Sequence, residues 1–447
     1  MRMKHVLIRL PLLVTLMLLL AFGSFAQQQS AITGGLNGAI TDPTGAVLPG
    51  ATVILVGPQG KYTLTTDSTG RYSMNGLTPG FYDVTVQKTG FKKLESKHNE
   101  VVVSSSSTLN LTLPVGSAGE VVEVNASAVS IDTQSTAITQ NLTDTFYESI
   151  PMQRNVTAIF YAAPGVAQGQ VAGAPNQSGP GVNNPSIGGS SGLENLYVVD
   201  GVTITDQAFG SIGTFNRYFG SLGTGINLAY IKEVDVKTSA FEPQYGKATG
   251  GIVQIVTKSG SNQYHGALGA YLGPGSWYAN RYQFENFNYL QTLPSATDST
   301  PQYDVSAEFG GYVPGMKDKL FFFGAFDPAL RQSINLANPN GGALDVATVQ
   351  HGAYAYSTTT MSWAGKLTYK LGNSTTVEAS SFGDPSRHNS VPGMLATDNP
   401  ASVSSSYAFG SRDSVIRLNT TITPSWVADM SYTYNFNHFN QTPLENQ

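Results

Sequence analysis

Ile231-Lys232-Glu233-Val234-Asp235-Val236 opens the stretch IKEVDVKTSAFEPQYGKATGGIVQIVTKSG, residues 231–260, whose reading decides the fold. Apolar and polar residues alternate through 231–236, the period of a strand. Gly250-Gly251 then precede the β-branched run Ile252-Val253-Gln254-Ile255-Val256-Thr257, which reads as a second strand. Upstream, Leu196 to Val199 and Val202 to Ile204 flank Asp200-Gly201. That dipeptide is a strong hairpin signal, because both central residues of the turn take positive φ. Gly165 to Ser191 is dominated by Ser, Asn, Gln and Gly without periodicity and reads as loop. Such a long loop is unusual in a compact sandwich, which argues against a second soluble sandwich here.

The order of these pieces carries the information. YVVDGVTI (197–204) followed by 231–260 resembles the plug domain of TonB-dependent outer-membrane transporters. The step Tyr245-Gly246, the pair Gly250-Gly251 and the final strand into Thr257-Lys258-Ser259-Gly260 are its most specific part. The resemblance implies an α/β plug over 125–260 that precedes and fills a transmembrane barrel.

Residues 264–447 fit that expectation by their own pattern. Period-two stretches of 9 to 13 residues occur from Tyr264 onward, the length a tilted strand needs to cross a membrane. Tyr303, Val305, Ala307, Phe309, Gly311 and Val313 share one face, with Asp304, Ser306, Glu308 and Tyr312 on the other. Met361, Trp363, Gly365, Leu367, Tyr369 and Leu371 likewise oppose Ser362, Lys366, Thr368 and Lys370. The same holds for Trp426, Ala428, Met430, Tyr432, Tyr434 and Phe436 against Ser425, Asp429, Ser431, Thr433 and Asn435. One face suits lipid and the other water. Short connections at 314–318, 372–373 and 423–424 alternate with long ones at 273–302, 331–360 and 384–409, as periplasmic turns alternate with outer loops. GGYVPGMKDKLFFFGAFDPALRQ (310–332) and WAGKLTYKLGNSTTVEASSFGDPS (363–386) look like early barrel hairpins of the Oar-like branch of these transporters. About seven strands are expected, at 264–272, 303–313, 319–330, 361–371, 374–383, 410–422 and 425–438. Plugged barrels close with about 22, so the expectation is a fragment carrying the first part of a barrel.

Upstream, residues 31–115 alternate short β-rich runs with turn signals about every ten residues, the spacing of a sandwich. GAITDPTGAVLPGATVIL (38–55) and TDSTGRYSMNGLTPGFYDVTVQKTGF (66–91) resemble the carboxypeptidase regulatory-like domain, a non-catalytic module. His98 is the sole histidine there, so no two-histidine peptidase site is expected. Before it, Arg2, Lys4 and Arg9, the apolar block Leu10 to Phe22 and the small residues Ser24 and Ala26 predict a signal peptide over 1–26 cleaved after Ala26. The fold class expected is thus all-β dominated: a small sandwich, an α/β plug, and the first strands of a transmembrane barrel.

Composition agrees. Of 447 residues only 12% are charged, and the net charge is −5, so no basic field exists to hold nucleic acid. Gly numbers 48, Tyr 22 and Phe 21, and Cys is absent, which suits an exported β protein built without disulfides. Gly188-Gly189-Ser190-Ser191-Gly192 matches the hydrolase nucleophile elbow, but no strand leads in and no helix follows. The six histidines are scattered, and no phosphate-binding loop is present. No catalytic, cofactor or metal site is therefore expected, and no enzyme.

In the linker 116–124, Glu120-Val121-Val122-Glu123-Val124 occupies the place of a TonB box, an extended segment that pairs with an edge strand of TonB. The other readings are the plug's first strand or the sandwich's last. The resemblance implies a receptor for active uptake of a scarce siderophore, carbohydrate or peptide, in the outer membrane with plug and sandwich on the periplasmic side. Its implied partners are TonB with its inner-membrane energising complex, outer-membrane lipid, the barrel-assembly machinery and a substrate not yet identified. A surface adhesion or ligand-binding protein without transport is the alternative.

Overall fold

The computed structural model describes residues 32–116, 121–124, 138–152, 156–167, 184–216, 220–241, 245–246, 248–277, 284–286, 291–293, 297–299, 301–335, 354–372, 374–391, 405–423 and 426–443. Ala26 and Glu120 lie outside them.

The amino-terminal unit is two sheets closing on one core. Gly34–Thr41 pairs with Arg71–Leu77 and, in parallel, with Ser106–Thr108 and Leu111–Thr112. The second sheet runs Gly60–Thr65, Thr52–Gly57, Gly80–Gln87, Lys93–Val101 and Val121–Val124. Alternation turns Leu36, Ile40, Val53, Leu55, Val84 and Val86 inward, all fully buried. The two Asp turns expected from the sequence are alike. Asp42 accepts from the amides of Thr44 and Ala46, and Asp67 accepts from those of Thr69 and Arg71. The fifth strand is different in kind. Lys93–Ser96 pairs in parallel with Val121–Val124, but the sandwich core ends in the chain at Leu113.

The middle unit is a mixed five-stranded sheet in the order Ile138–Thr143, Ile231–Ser239, Ile252–Thr257, Leu196–Val199, Val202–Thr203. The short helices Asp144–Ser149 and Val156–Phe160 lie on it. The strand at 231–239 is buried on both faces, although its sequence mixes apolar and polar residues. Val234 and Val236 face the main core, while Glu233, Asp235 and Lys237 are covered as well. What covers them is in part the sandwich. The amide of Val103 donates to both carboxylate oxygens of Glu233, at 3.1 and 3.2 Å, and the Ser104 hydroxyl bonds to Gln254 Oε1.

The carboxyl-terminal unit is an antiparallel wall. His265–Gly273, Gln302–Tyr312, Leu320–Asn335, Tyr354–Lys370, Thr375–Gly383, Ser405–Thr423 and Trp426–Pro443 follow one another in a single sheet. All seven expected strands are present, and four are longer than the sequence suggested. Leu320–Asn335 and Tyr354–Lys370 pair through their full lengths, out to Asn335 opposite Tyr354. The added ends are polar, Arg331-Gln332-Ser333 against Tyr356-Ser357-Thr358, so backbone pairing continues where the apolar alternation stops. The connection expected at 384–409 is also shorter. Asp384-Pro385 interrupts the wall, since proline has no N–H for the ladder. Ser386–Val391 then resumes pairing with both Tyr354–Lys370 and Ser405–Thr423.

The wall's outward face is apolar and open. Leu268, Phe309, Phe326, Leu367, Ile416 and Tyr432 are each more than half exposed, large apolar side chains open on strand after strand, which marks an interaction surface. Inward, Ser362, Lys366, Thr368 and Lys370 are buried. The face read as wet is covered by protein: one core joins Phe323, Ala325, Ala364, Phe382 and Val415 of the wall to Ile159, Tyr197, Val199 and Tyr230. Among the described residues no helix is long and apolar enough to cross a membrane.

These burial differences separate core strands from the added one. Leu55→Ala is expected to cost the sandwich about 2–5 kcal/mol, whereas Val122→Ala, half-buried at the edge, costs less than about 1 kcal/mol. Amide hydrogen exchange of sandwich residues in increasing denaturant measures both.

Candidate functional site

The hairpin Asp200-Gly201 has the geometry its turn requires, with φ of 45° and 83° and Val199 opposite Val202. Its position matters more than its shape. Asp200 is fully buried, and its carboxylate accepts from the Thr257 amide at 3.0 Å and the Thr257 hydroxyl at 2.6 Å. The third donor comes from the wall: Lys366 Nζ lies 3.1 Å from Asp200 Oδ1 and also donates to the Thr257 carbonyl. Glu378 stands 3.9 Å from the same ammonium. Gly201 meets Arg417, whose guanidinium fills the space a Cβ would need, and Arg417 faces Asp429 at 3.7 Å. The hairpin tip is therefore met by charged side chains of two wall strands, Lys366 and Arg417, each with an acidic neighbour on the adjacent strand.

Burial alone pushes the Asp200 carboxyl up, but the Lys366 charge and the two bonds from Thr257 outweigh it and hold the carboxyl below its ordinary range. Its stabilising contribution is thus present at neutral pH and is lost as pH falls through that lowered value. A second tie between the same units joins Lys258 to Glu308 at 2.9 Å.

Gly250 and Gly251 are required by close approach. A Cβ on Gly250 would strike Asn195 Oδ1 and Ser190, and one on Gly251 would strike Ile187. Asn195, which the sequence reading did not single out, organises this corner. Its side chain donates to the Pro185 carbonyl at 2.7 Å and to the Tyr197 hydroxyl at 3.0 Å, and accepts from the Gly251 amide at 2.9 Å. Ser190 of the elbow-like string donates to the Ile187 carbonyl at 2.8 Å. Tyr245 bonds through its hydroxyl to Gln254 and lies under the Lys237 ammonium. Gly246 has open space around it. Phe209 and Trp277 are exposed, and no metal-holding group of His, Cys, Asp or Glu occurs among the described residues.

Val121, Val122, Glu123 and Val124 sit away from the hairpin, as the outer strand of the sandwich sheet. The segment registers Val121 with Lys93 and Val124 with Ser96, and Glu123 pairs with Lys97 at 2.9 Å. The sandwich itself rests on both other units. Lys370 of the wall donates to the Gln59 carbonyl at 2.9 Å and lies 3.8 Å from the centre of the Tyr62 ring. Asn262 and Asp318 exchange bonds beneath it, and the Asn262 amide reaches the Pro58 carbonyl.

On the plug side of that contact, burial pushes Glu233 up to about 8, with Asp235 and Glu100 adding to the effect against the bonds from Asn141 and Val103. The folded value lies above the unfolded one of about 4.3. Its contribution is therefore full below about 4.3 and is lost as pH rises toward the folded value.

Two family models match the chain: residues 35–114 the carboxypeptidase regulatory-like domain, and residues 132–252 the TonB-dependent receptor plug domain. The TonB-dependent transporter Oar of Myxococcus xanthus is 27% identical over 431 residues, an alignment covering 89% of this chain and 38% of that protein. The chain thus spans less than two-fifths of that curated relative. The outer membrane transporter YddB from Escherichia coli is similar in structure with a TM-score of 0.50 at 15% identity, covering 67% of this chain and 39% of that one. The siderophore receptor PirA from Acinetobacter baumannii gives 0.46 at 15% identity, covering 67% and 40%.

Two outcomes test the electrostatics. Asp200→Asn leaves Lys366 buried without its nearest counter-charge and is expected to cost about 3–5 kcal/mol, read as a lower denaturant midpoint at pH 7. Glu233→Gln is expected to flatten the loss of stability between about pH 4.5 and 8, measured by the same titration across pH.

Proposed function

We propose that this chain, whose residues 132–252 match the TonB-dependent receptor plug domain, works as an outer-membrane receptor that takes up a scarce solute at the expense of the inner-membrane proton gradient. One observation carries this reading: a plug sheet fills the inner side of a wall whose outer side is apolar and open. A soluble protein has no use for such an outer face, and a lipid bilayer has no use for an open aqueous pore.

The outward strands span the hydrocarbon, and those inside the sheet are paired on both sides, as hydrocarbon demands, while His265–Gly273 and Trp426–Pro443 are each paired on one side among the described residues. The short connections expected from the sequence at 314–318, 372–373 and 423–424 mark the periplasmic rim in this reading. The sandwich rests at that rim, through Gln59, Tyr62 and Lys370, so it lies in the periplasm with the 121–124 segment. Cargo binds at the opposite end, where plug loops and outer loops meet. Siderophore, carbohydrate and peptide are the classes to test.

In this reading the residues do mechanical rather than covalent chemistry. The outer membrane holds no gradient or nucleotide of its own, so the plug is moved by a partner anchored elsewhere. The extended segment at 121–124, with valine at three of its four positions, pairs with an edge strand of TonB by main-chain hydrogen bonds. Tension on that segment reaches the plug strand at 138–143 next in the chain, whose neighbour in the sheet carries Glu233. The wall keeps its hydrogen-bonded ladder while the hairpin at 200–201 is drawn from Lys366 and Arg417. Insertion of the wall requires the barrel-assembly machinery.

Deletion of residues 120–124 in the whole receptor is expected to abolish accumulation of labelled siderophores, oligosaccharides or peptides by cells, as is collapse of the proton gradient by a protonophore. Accumulation that survives both treatments contradicts energised uptake and favours an adhesion or ligand-binding role.

A further inference from the structure

We propose that the sandwich is a releasable latch across the seam between plug and wall, which covers the polar face of the plug sheet when docked and uncovers that face when it lifts.

The plug sheet has two unlike faces. Val234, Val236, Val253 and Ile255 lie in the core shared with the wall. Glu233 and Asp235 register with Val256 and Gln254 on the other face, which also carries Lys237, and all five are buried. Side chains of this kind are at home in water, so the face they form tolerates being uncovered.

Residues 102–105 of the sandwich reach this face. The chain turns at Ser104, with φ of 54°, and both main-chain polar groups of Val103 are taken by the plug. Its amide donates to the two Glu233 oxygens. Its carbonyl accepts from Asn141 Nδ2 at 3.3 Å, a group that also lies 2.6 Å from Glu233 Oε1. The Ser104 hydroxyl donates to Gln254, and Ile32 and Val103 form a small apolar cluster with Val256.

A second foot stands on the seam itself. Gln59 is 1% exposed, and its Nε2 donates to the Gly260 carbonyl at 3.3 Å while its own carbonyl accepts from Lys370 of the wall. The Asn262 amide donates to the Pro58 carbonyl at 2.9 Å. Gly260 and Asn262 belong to the passage from the plug's last strand to the wall's first, so the sandwich bridges plug, passage and wall at once. Most of these bonds can be replaced by bonds to water on separation, whereas parting plug from wall exposes their common apolar core. Lifting the sandwich is therefore the easier of the two openings.

Glu233 makes the latch sensitive to protons. The charged groups about it are Asp235, which has Lys237 at 3.8 Å, and Glu100 of the sandwich. Burial, with the two acids adding to it, holds the docked carboxyl at about 8, against about 4.3 in water. Docking takes up a proton between these limits. Its contribution is full below about 4.3 and is lost as pH rises toward the docked value, the docking constant falling by up to about tenfold per pH unit.

The chain has no cysteine, so introduced thiols report the opening. Val256→Cys lies under the sandwich, and Ile255→Cys, on the opposite face of the same strand, lies in the core shared with the wall. Each is placed in the whole protein, otherwise free of cysteine and purified in detergent, and its maleimide labelling rate is read relative to that of the exposed Val47→Cys. Labelling of Val256→Cys is expected to rise at least about tenfold from pH 6 to pH 8, and Glu233→Gln to abolish that rise. Lys370→Met, which removes a bond to Gln59, is expected to raise it about three- to tenfold at pH 6. Ile255→Cys stays protected throughout. Ile32→Cys, on the sandwich side of the same contact, is expected to repeat the pattern of Val256→Cys and stands in for it if that variant does not fold. Labelling of both faces in step overturns the proposal, because sandwich and plug then open as one unit. Protection of Val256→Cys and Ile32→Cys under every condition also overturns it, because the joint is then permanent. The assay needs neither cargo nor TonB, so its failure leaves the uptake reading standing, and loss of that reading leaves the latch.

Discussion

A lysine ammonium inside a protein needs a fixed counter-charge, because desolvation of an unpaired ion costs several kcal/mol. Lys366 projects from the inner face of the wall and is 3% exposed. Its partner is the Asp200 carboxylate at the tip of the plug hairpin. The requirement works in both directions: the wall strand cannot bury that lysine without the plug, and the hairpin cannot bury that aspartate without the wall. Thr257, on the plug's last strand, donates to the same carboxylate, so the pair also fixes where the plug ends and the wall begins.

Around this pair, close approach sets the remaining constraints. Gly201 lets the Arg417 guanidinium lie against the turn, and Gly250-Gly251 let the strand beyond them pass over Asn195 and Ile187. The sandwich adds a third body that touches both others through polar contacts, Glu233 with Val103 and Lys370 with Gln59 and Tyr62, beside one small apolar cluster of Ile32 and Val103 with Val256. The larger apolar core lies between plug and wall, and the sandwich keeps a core of its own. Plug and wall are thus joined by hydrophobic burial, while the sandwich is joined to them mainly by hydrogen bonds and charge. Separation at the second kind of contact exposes little apolar surface, which suits a domain that moves.

The fold was largely legible because its elements obey simple periods. Alternation gave the inward and outward faces of the wall, and Asp200-Gly201 gave the hairpin. The longer ends of the wall strands were hidden because their residues, such as Arg331-Gln332-Ser333, are polar on both faces and carry no apolar period. The site was less legible. Lys366 could be placed on the inner face, but nothing in the chain links it to a residue 166 positions earlier. Glu233 lies in a strand legible from its alternation, but its burial depends on the packing of a separate domain against it. Asn195 falls in a polar run beside a glycine-rich loop, where its three hydrogen bonds leave no sequence pattern. The 121–124 segment was open to three readings, and its pairing with Lys93–Ser96 is a tertiary fact between stretches some 25 residues apart.

The central claim is that the hairpin and the wall are coupled through one buried charge pair. A double-mutant cycle with Asp200→Asn and Lys366→Met, read by denaturant unfolding of the whole protein at neutral pH, tests it most directly. The account predicts a coupling free energy of about 1–3 kcal/mol, with the double variant more stable than the sum of the single losses. Losses that add to within about 0.5 kcal/mol, the behaviour of independent sites, would contradict it.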